Sequence, residues 1–190
     1  MSIGRRWCSV ITILLSSWLI TSCGDDPPNK EIQQAQQAID TAKTAGAEQY
    51  ATDEFNGAQD ALKRAQASVT ARDYRQALND ALDARDRAQT AGKDAADKKA
   101  ATKTDVDRSL HDTALAIVDA RARLRAAENS RRSPRTLVPV RRALADAETH
   151  VQEARTAFDN GDYLDAQRLL ATTRTTLDEN VRILEGAGRK

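Results

Sequence analysis

Arg72-Asp73-Tyr74-Arg75-Gln76-Ala77 and Gly161-Asp162-Tyr163-Leu164-Asp165-Ala166 are two copies of one corner, set 89 residues apart. Aspartate is a good helix N-cap, because its carboxylate accepts backbone N–H bonds at a helix start. Gly161 suits the left-handed turn that closes the helix before it. The tyrosine opens the next apolar seam and is placed to wedge the corner. Each copy therefore reads as a helix, a tight turn and a second helix.

The same offset extends outward on both sides. It places Ala58 on Ala147, Leu62 on Val151, Ala65 on Ala154, Val69 on Phe158 and Ala77 on Ala166. Apolar residues recur at alternating spacings of three and four, the mark of one stripe on one helix face. The seams are Phe55, Ala58, Leu62, Ala65 and Val69; then Leu137 through Phe158; then Tyr163 through Leu184. A seam of almost pure alanine runs from Ala77 to Ala95. Alanine lets a neighbouring helix approach closely but buries little area, so length and many contacts must supply stability.

A preceding helix completes each copy: Glu31 to Ala45, closed by Gly46, and about Thr104 to Asn129, ended by residues 130–134 (SRRSP). Between the copies two readings stand. Either a helix runs unbroken from Asp73 to about Asn129 with a local register slip, or Thr104 and Asp107 form a capping box that starts a new helix. The expected fold is all-α: an elongated antiparallel bundle of coiled-coil-like hairpins, five to six helices, internally duplicated. Residues 31–103 form repeat unit 1 and residues 104–190 form repeat unit 2.

Composition agrees. Charged residues are 30% of the 190, aromatics 4%, with eight glycines and four prolines. Such a chain favours long helices over strands and a thick globular core. The net charge of +1 implies no global attraction to polyanions.

The amino terminus reads as an export signal. Arg5 and Arg6 precede the uncharged apolar run Val10 to Ile20, too short for a comfortable membrane span. Ile20-Thr21-Ser22-Cys23 follows and resembles the bacterial lipobox. That resemblance implies cleavage between Ser22 and Cys23 and a mature cysteine bearing acyl chains such as palmitate. Two or more chains suffice for stable anchoring. Gly24, where aspartate would retain such a protein on the inner membrane, favours the outer membrane facing the periplasm. Residues 24–30 (GDDPPNK) then form a polar, proline-containing tether.

From Ile32 to about Ala100 the chain resembles the lipoproteins grouped as domain-of-unknown-function family 4398. The stretch Ala45-Gly46-Ala47-Glu48-Gln49-Tyr50-Ala51, then Leu62, Ala65 and Arg72-Asp73-Tyr74, carries the resemblance. It implies an envelope location and a helical fold, and no activity. Where that family often has glycine before Asp-Tyr, the first copy has Arg72; the second keeps Gly161. The Gly-Asp-Tyr corner also resembles the middle of a tetratricopeptide repeat, but a period of 89 is not that repeat's 34.

No catalytic constellation emerges. His111 and His150 lack a second histidine at helical spacing, and a metal site needs several converging ligands. Asp80 with Asp83, and Asp94 with Asp97, read as solvated helix faces rather than acid–base pairs. No phosphate loop or nucleophile elbow is present. The expectation is a protein that is not an enzyme and takes no metal or cofactor. One stretch is uneven: residues 121–142 hold Arg121, Arg123, Arg125, Arg131, Arg132, Arg135, Arg141 and Arg142 against the single acid Glu128. Arginine grips phosphate and carboxylate in a bidentate manner. These arginines (Arg123 set aside) are candidate anion-binding residues at one end of the bundle, for lipid phosphate, lipopolysaccharide or peptidoglycan. Without aromatic platforms they do not suggest nucleic acid. The partners expected are the membrane, through the lipid, and other envelope proteins or the cell wall. Self-association is left open.

Overall fold

The computed structural model describes residues 26–130 and 133–186. Over these the chain forms six helices and no strand: α1 (Asn29–Thr44), α2 (Ala47–Tyr50), α3 (Thr52–Thr70), α4 (Tyr74–Asn129), α5 (Pro134–Asp159) and α6 (Tyr163–Gly186). The all-α bundle expected from the seams is what the structure shows. The export signal with Ser22 and Cys23 lies outside the described residues, as do Arg131 and Arg132.

Helix α4 organises the molecule. Its 56 residues make a rod of about 84 Å at 1.5 Å per residue. It settles the open question between the copies in favour of an unbroken helix. Thr104 does not cap a new one, because its hydroxyl donates to the Ala100 carbonyl of the preceding turn at 3.1 Å. The shift in the seam is absorbed within the continuous helix. Buried Ala95 and buried Val106 lie eleven residues apart, about three full turns, so both face the same way.

Two apolar clusters sit along this rod. The first joins Ala35, Ile39 and Ala42 of α1, Ala47 and Tyr50 of α2, Phe55 to Leu62 of α3, and Ala84 to Ala95 of α4. The second joins Val106 to Ala127 of α4, Leu137 to Ala154 of α5, and Ala166 to Leu184 of α6. Ion pairs between helices give the directions. Arg64 with Asp83, and Glu54 with Arg87, make α3 antiparallel to α4. Arg141 with Glu128, and Arg121 with Glu148, do the same for α5. Arg123 with Glu185 ties the ends of α4 and α6 on one level.

The first core is thin. Phe55 is its largest fully buried side chain, and each alanine methyl contributes only about 0.8 kcal/mol. Close backbone approach compensates. A Cβ added at Gly92 of α4 would stand 3.5 Å from the Ala42 Cα of α1, so the two helices meet almost backbone to backbone. At the end of α1, Gly46 adopts φ +92 and lies under the Tyr50 ring, which a Cβ there would meet at 3.3 Å. This turn aims Tyr50 into the core, and Ala51 (φ −142, ψ 46) separates α2 from α3. The equivalent stretch of the second copy, around Pro139, stays within the continuous α5.

Candidate functional site

The two corners share one backbone solution. In the first, the Arg72 N–H donates to the Val69 carbonyl at 3.0 Å and the Asp73 N–H to the Ser68 carbonyl at 2.9 Å. In the second, Gly161 donates to Phe158 at 3.0 Å and Asp162 to Ala157 at 2.8 Å. These are paired Schellman bonds, and both require a left-handed residue at the same step. Gly161 supplies φ 84, and Arg72 adopts φ 58 without being glycine. Asp73 then caps α4, its carboxylate accepting from the Gln76 N–H at 3.0 Å. Tyr163 packs on Phe158 with ring centroids 5.3 Å apart. Tyr74 is half-buried at its own corner.

Tyr50 is raised above the usual phenol range, first by burial and then by the negative charge of Tyr163 and Asp162. The short helix α2 thus lies within electrostatic reach of the turn between α5 and α6. The burial of Tyr50 was not legible in the sequence, where it carried no heptad or capping signal.

One carboxylate departs from the sequence reading. The sequence pattern puts Asp80 on a solvated face with Asp83, yet it is 6% exposed. Asp80 is one residue before Ala81 on the alanine seam, and the close approach of α3 covers it. It accepts from Arg64 Nε at 3.3 Å and from Gln76 Nε2 at 3.0 Å. Arg64 continues to Asp83 at 3.1 Å, and Arg87 links Asp83 to Glu54 across the same seam. The chain of charges is a clamp between α3 and α4.

The structure divides the arginine-rich end. Arg121 pairs with Glu148, Arg123 with Asp119 and Glu185, and Arg141 with Glu128. Hydrogen bonds to Asp119 raise Arg123 above the usual guanidinium range. Arg125, Arg135 and Arg142 are exposed and have no ion pair among the described residues. Elsewhere on this bundle a groove of about 550 Å³ runs between α4 and α6, floored by Leu115, Ala116, Leu177 and Val181. His111 is exposed and His150 half-buried. Among the described residues no group of three or more histidines, cysteines or carboxylates could hold a metal ion. Nor is any helix among them long and apolar enough to cross a membrane.

The class defined by this architecture is an all-α protein of two three-helix bundles strung on a shared helix. Residues 30–106 match the family described as Domain of unknown function (DUF4398). The resemblance read from Ile32 to about Ala100 is thereby shown, and the match ends where α4 passes from the first core to the second. No curated protein and no solved structure matches the chain.

Proposed function

We propose that this chain is a cell-envelope lipoprotein, anchored by lipids on Cys23, whose helical body is a non-enzymatic spacer or scaffold in the periplasm. The observation that supports it is α4, one helix running through two separate cores. A helix buried at both ends and continuous between them fixes the separation of the two bundles. Fixed separation is of use to a scaffold and of no use to a single binding pocket. The lipobox at Ile20 to Cys23 supports the anchor, and the outer membrane is its expected site.

Two measurements test this. Cys23→Ala releases the chain from the membrane fraction if the cysteine carries the anchor; unchanged fractionation refutes the anchor. Inserting eleven residues between Ala96 and Val106 lengthens the rod by about 16 Å while rotating the second bundle only about 20°. A spacer loses its crosslinking partners in intact cells on that insertion. A binding module acting through one bundle keeps them, and that outcome would replace the scaffold reading.

A further inference from the structure

We propose that the arginine end of the second bundle docks on an anionic phospholipid surface, through Arg135, Val138 and Arg142 of α5 with Arg125 of α4. Residues 129–145 hold five arginines and no acid. Arg135, Val138 and Arg142 follow at steps of three and four, so they share one helix face. Val138 is 58% exposed, and Pro139 beside it is exposed as well. Arg125 lies between Arg121 and Glu128, whose ion pairs to α5 hold that flank of α4 against its neighbour. Arg135 and Arg142 therefore flank the exposed Val138 on one face of α5, a basic face bounded by Glu128 of α4 and by the exposed Asp146 one turn on.

The shape favours a surface over a discrete ligand. Neither the groove between α4 and α6 nor the recess at the α5–α6 corner is lined by any of these four residues. A sheet of lipid phosphates can take all three guanidinium groups at once, with their stems and Val138 lying in the headgroup layer. Each basic side chain near an anionic bilayer strengthens binding about fivefold.

The patch is also distant from the point where the chain enters the fold. Ala42 of α1 meets Gly92 of α4. Asn29 is about 20 Å along α1 from that contact, and Asn129 is about 56 Å along α4 from it. Whichever way α1 points, roughly 36 Å or more of helix separates the two. The docking face is therefore remote from the start of α1.

The test is flotation of the full chain with vesicles of phosphatidylcholine alone and of phosphatidylcholine mixed with phosphatidylglycerol. The apolar Val10–Ile20 segment contributes to both, so the readout is the gain due to the anionic lipid. The gain should be clear at low salt and vanish near 1 M salt, where screening shortens to about 3 Å. Combining Arg125→Gln, Arg135→Gln and Arg142→Gln should lower it about a hundredfold, with helicity by circular dichroism unchanged. The three Arg→Lys changes should retain most of it, and Val138→Asn should weaken it severalfold. A triple glutamine variant that floats like the wild type overturns the proposal. So does displacement by inorganic phosphate at matched ionic strength, which would mean a discrete phosphate site. Binding to peptidoglycan sacculi in place of vesicles, lost in the same triple variant, would assign the face to the wall and overturn it too.

Discussion

The two corners permit a reciprocal test. Arg72 and Gly161 occupy the same Schellman position, at φ 58 and φ 84. An L-residue held in the left-handed region costs about 1–2 kcal/mol, while glycine loses roughly 0.5–1 kcal/mol more chain entropy on folding. A Cβ added at Gly161 would meet nothing within 4 Å, so Gly161→Ala carries the backbone cost alone. It should destabilise the second bundle by about 1 kcal/mol. Arg72 is exposed at its corner, so its side chain gives up little. Arg72→Gly should therefore stabilise by about 0.5–1 kcal/mol. Urea unfolding followed at 222 nm reads both, as shifts of midpoint in opposite directions with the slope unchanged. If Gly161→Ala were neutral, the Schellman assignment at that corner would be wrong. If Arg72→Gly destabilised, the guanidinium would be making an interaction that outweighs its backbone strain.

Three further outcomes follow from the packing. Arg64→Met should cost about 1–3 kcal/mol in urea unfolding, because it leaves the buried Asp80 with Gln76 alone; Asp80→Ala, which extends the alanine seam, should change stability by less than about 1 kcal/mol. Equal losses in the two variants would mean that the clamp, not the stranded charge, sets the cost. Gly92→Ala should stabilise by about 1 kcal/mol through helix propensity, since the new Cβ makes only an ordinary 3.5 Å contact with Ala42, whereas Gly92→Leu should overpack the α1–α4 contact and cost about 1–3 kcal/mol. A thermal melt showing Gly92→Ala less stable than wild type would contradict that geometry. Tyr50 resists ionisation in the fold, so above the ordinary phenol value of 10.0 the unfolded chain releases a proton that the folded chain keeps. The stability it contributes is full below pH 10 and declines as pH rises beyond it. Tyr50→Phe removes that decline, and parallel wild-type and variant stability curves across this range would refute it.

The helical body was legible because its signal is periodic. Alanine and leucine at spacings of three and four mark a stripe whatever packs on it, and Asp73, Gly161 and Asp162 mark the turns by their own backbone preferences. What escaped notice depends on the partner helix. Asp80 and Asp83 each precede a seam alanine, Ala81 and Ala84, and nothing local says that α3 will cover only the first. The break at Ala51 escaped for a similar reason. It accompanies the packing of the Tyr50 ring on Gly46, a contact within the fold rather than a composition. The candidate arginines were visible as a cluster, but their division into paired and unpaired required the acids of α4, α5 and α6 to be placed beside them.

The duplication and the long helix explain one another. A repeat of 89 residues aligns α3 with α5, and the start of α4 with α6, but α1 has no separate counterpart. Its place in the second bundle is taken by the far half of α4, from Val106 to Ala127. The third helix of one bundle is therefore the first helix of the next. Two bundles joined by a loop could turn freely, as the few contacts across a linker would not hold them. Bundles that share a helix turn far less, because a sharp kink between Ala95 and Val106 would break backbone hydrogen bonds of α4 itself. Rigidity here comes from connectivity more than from the size of either core, which is how a chain so rich in alanine can hold its two cores at a set distance from one another.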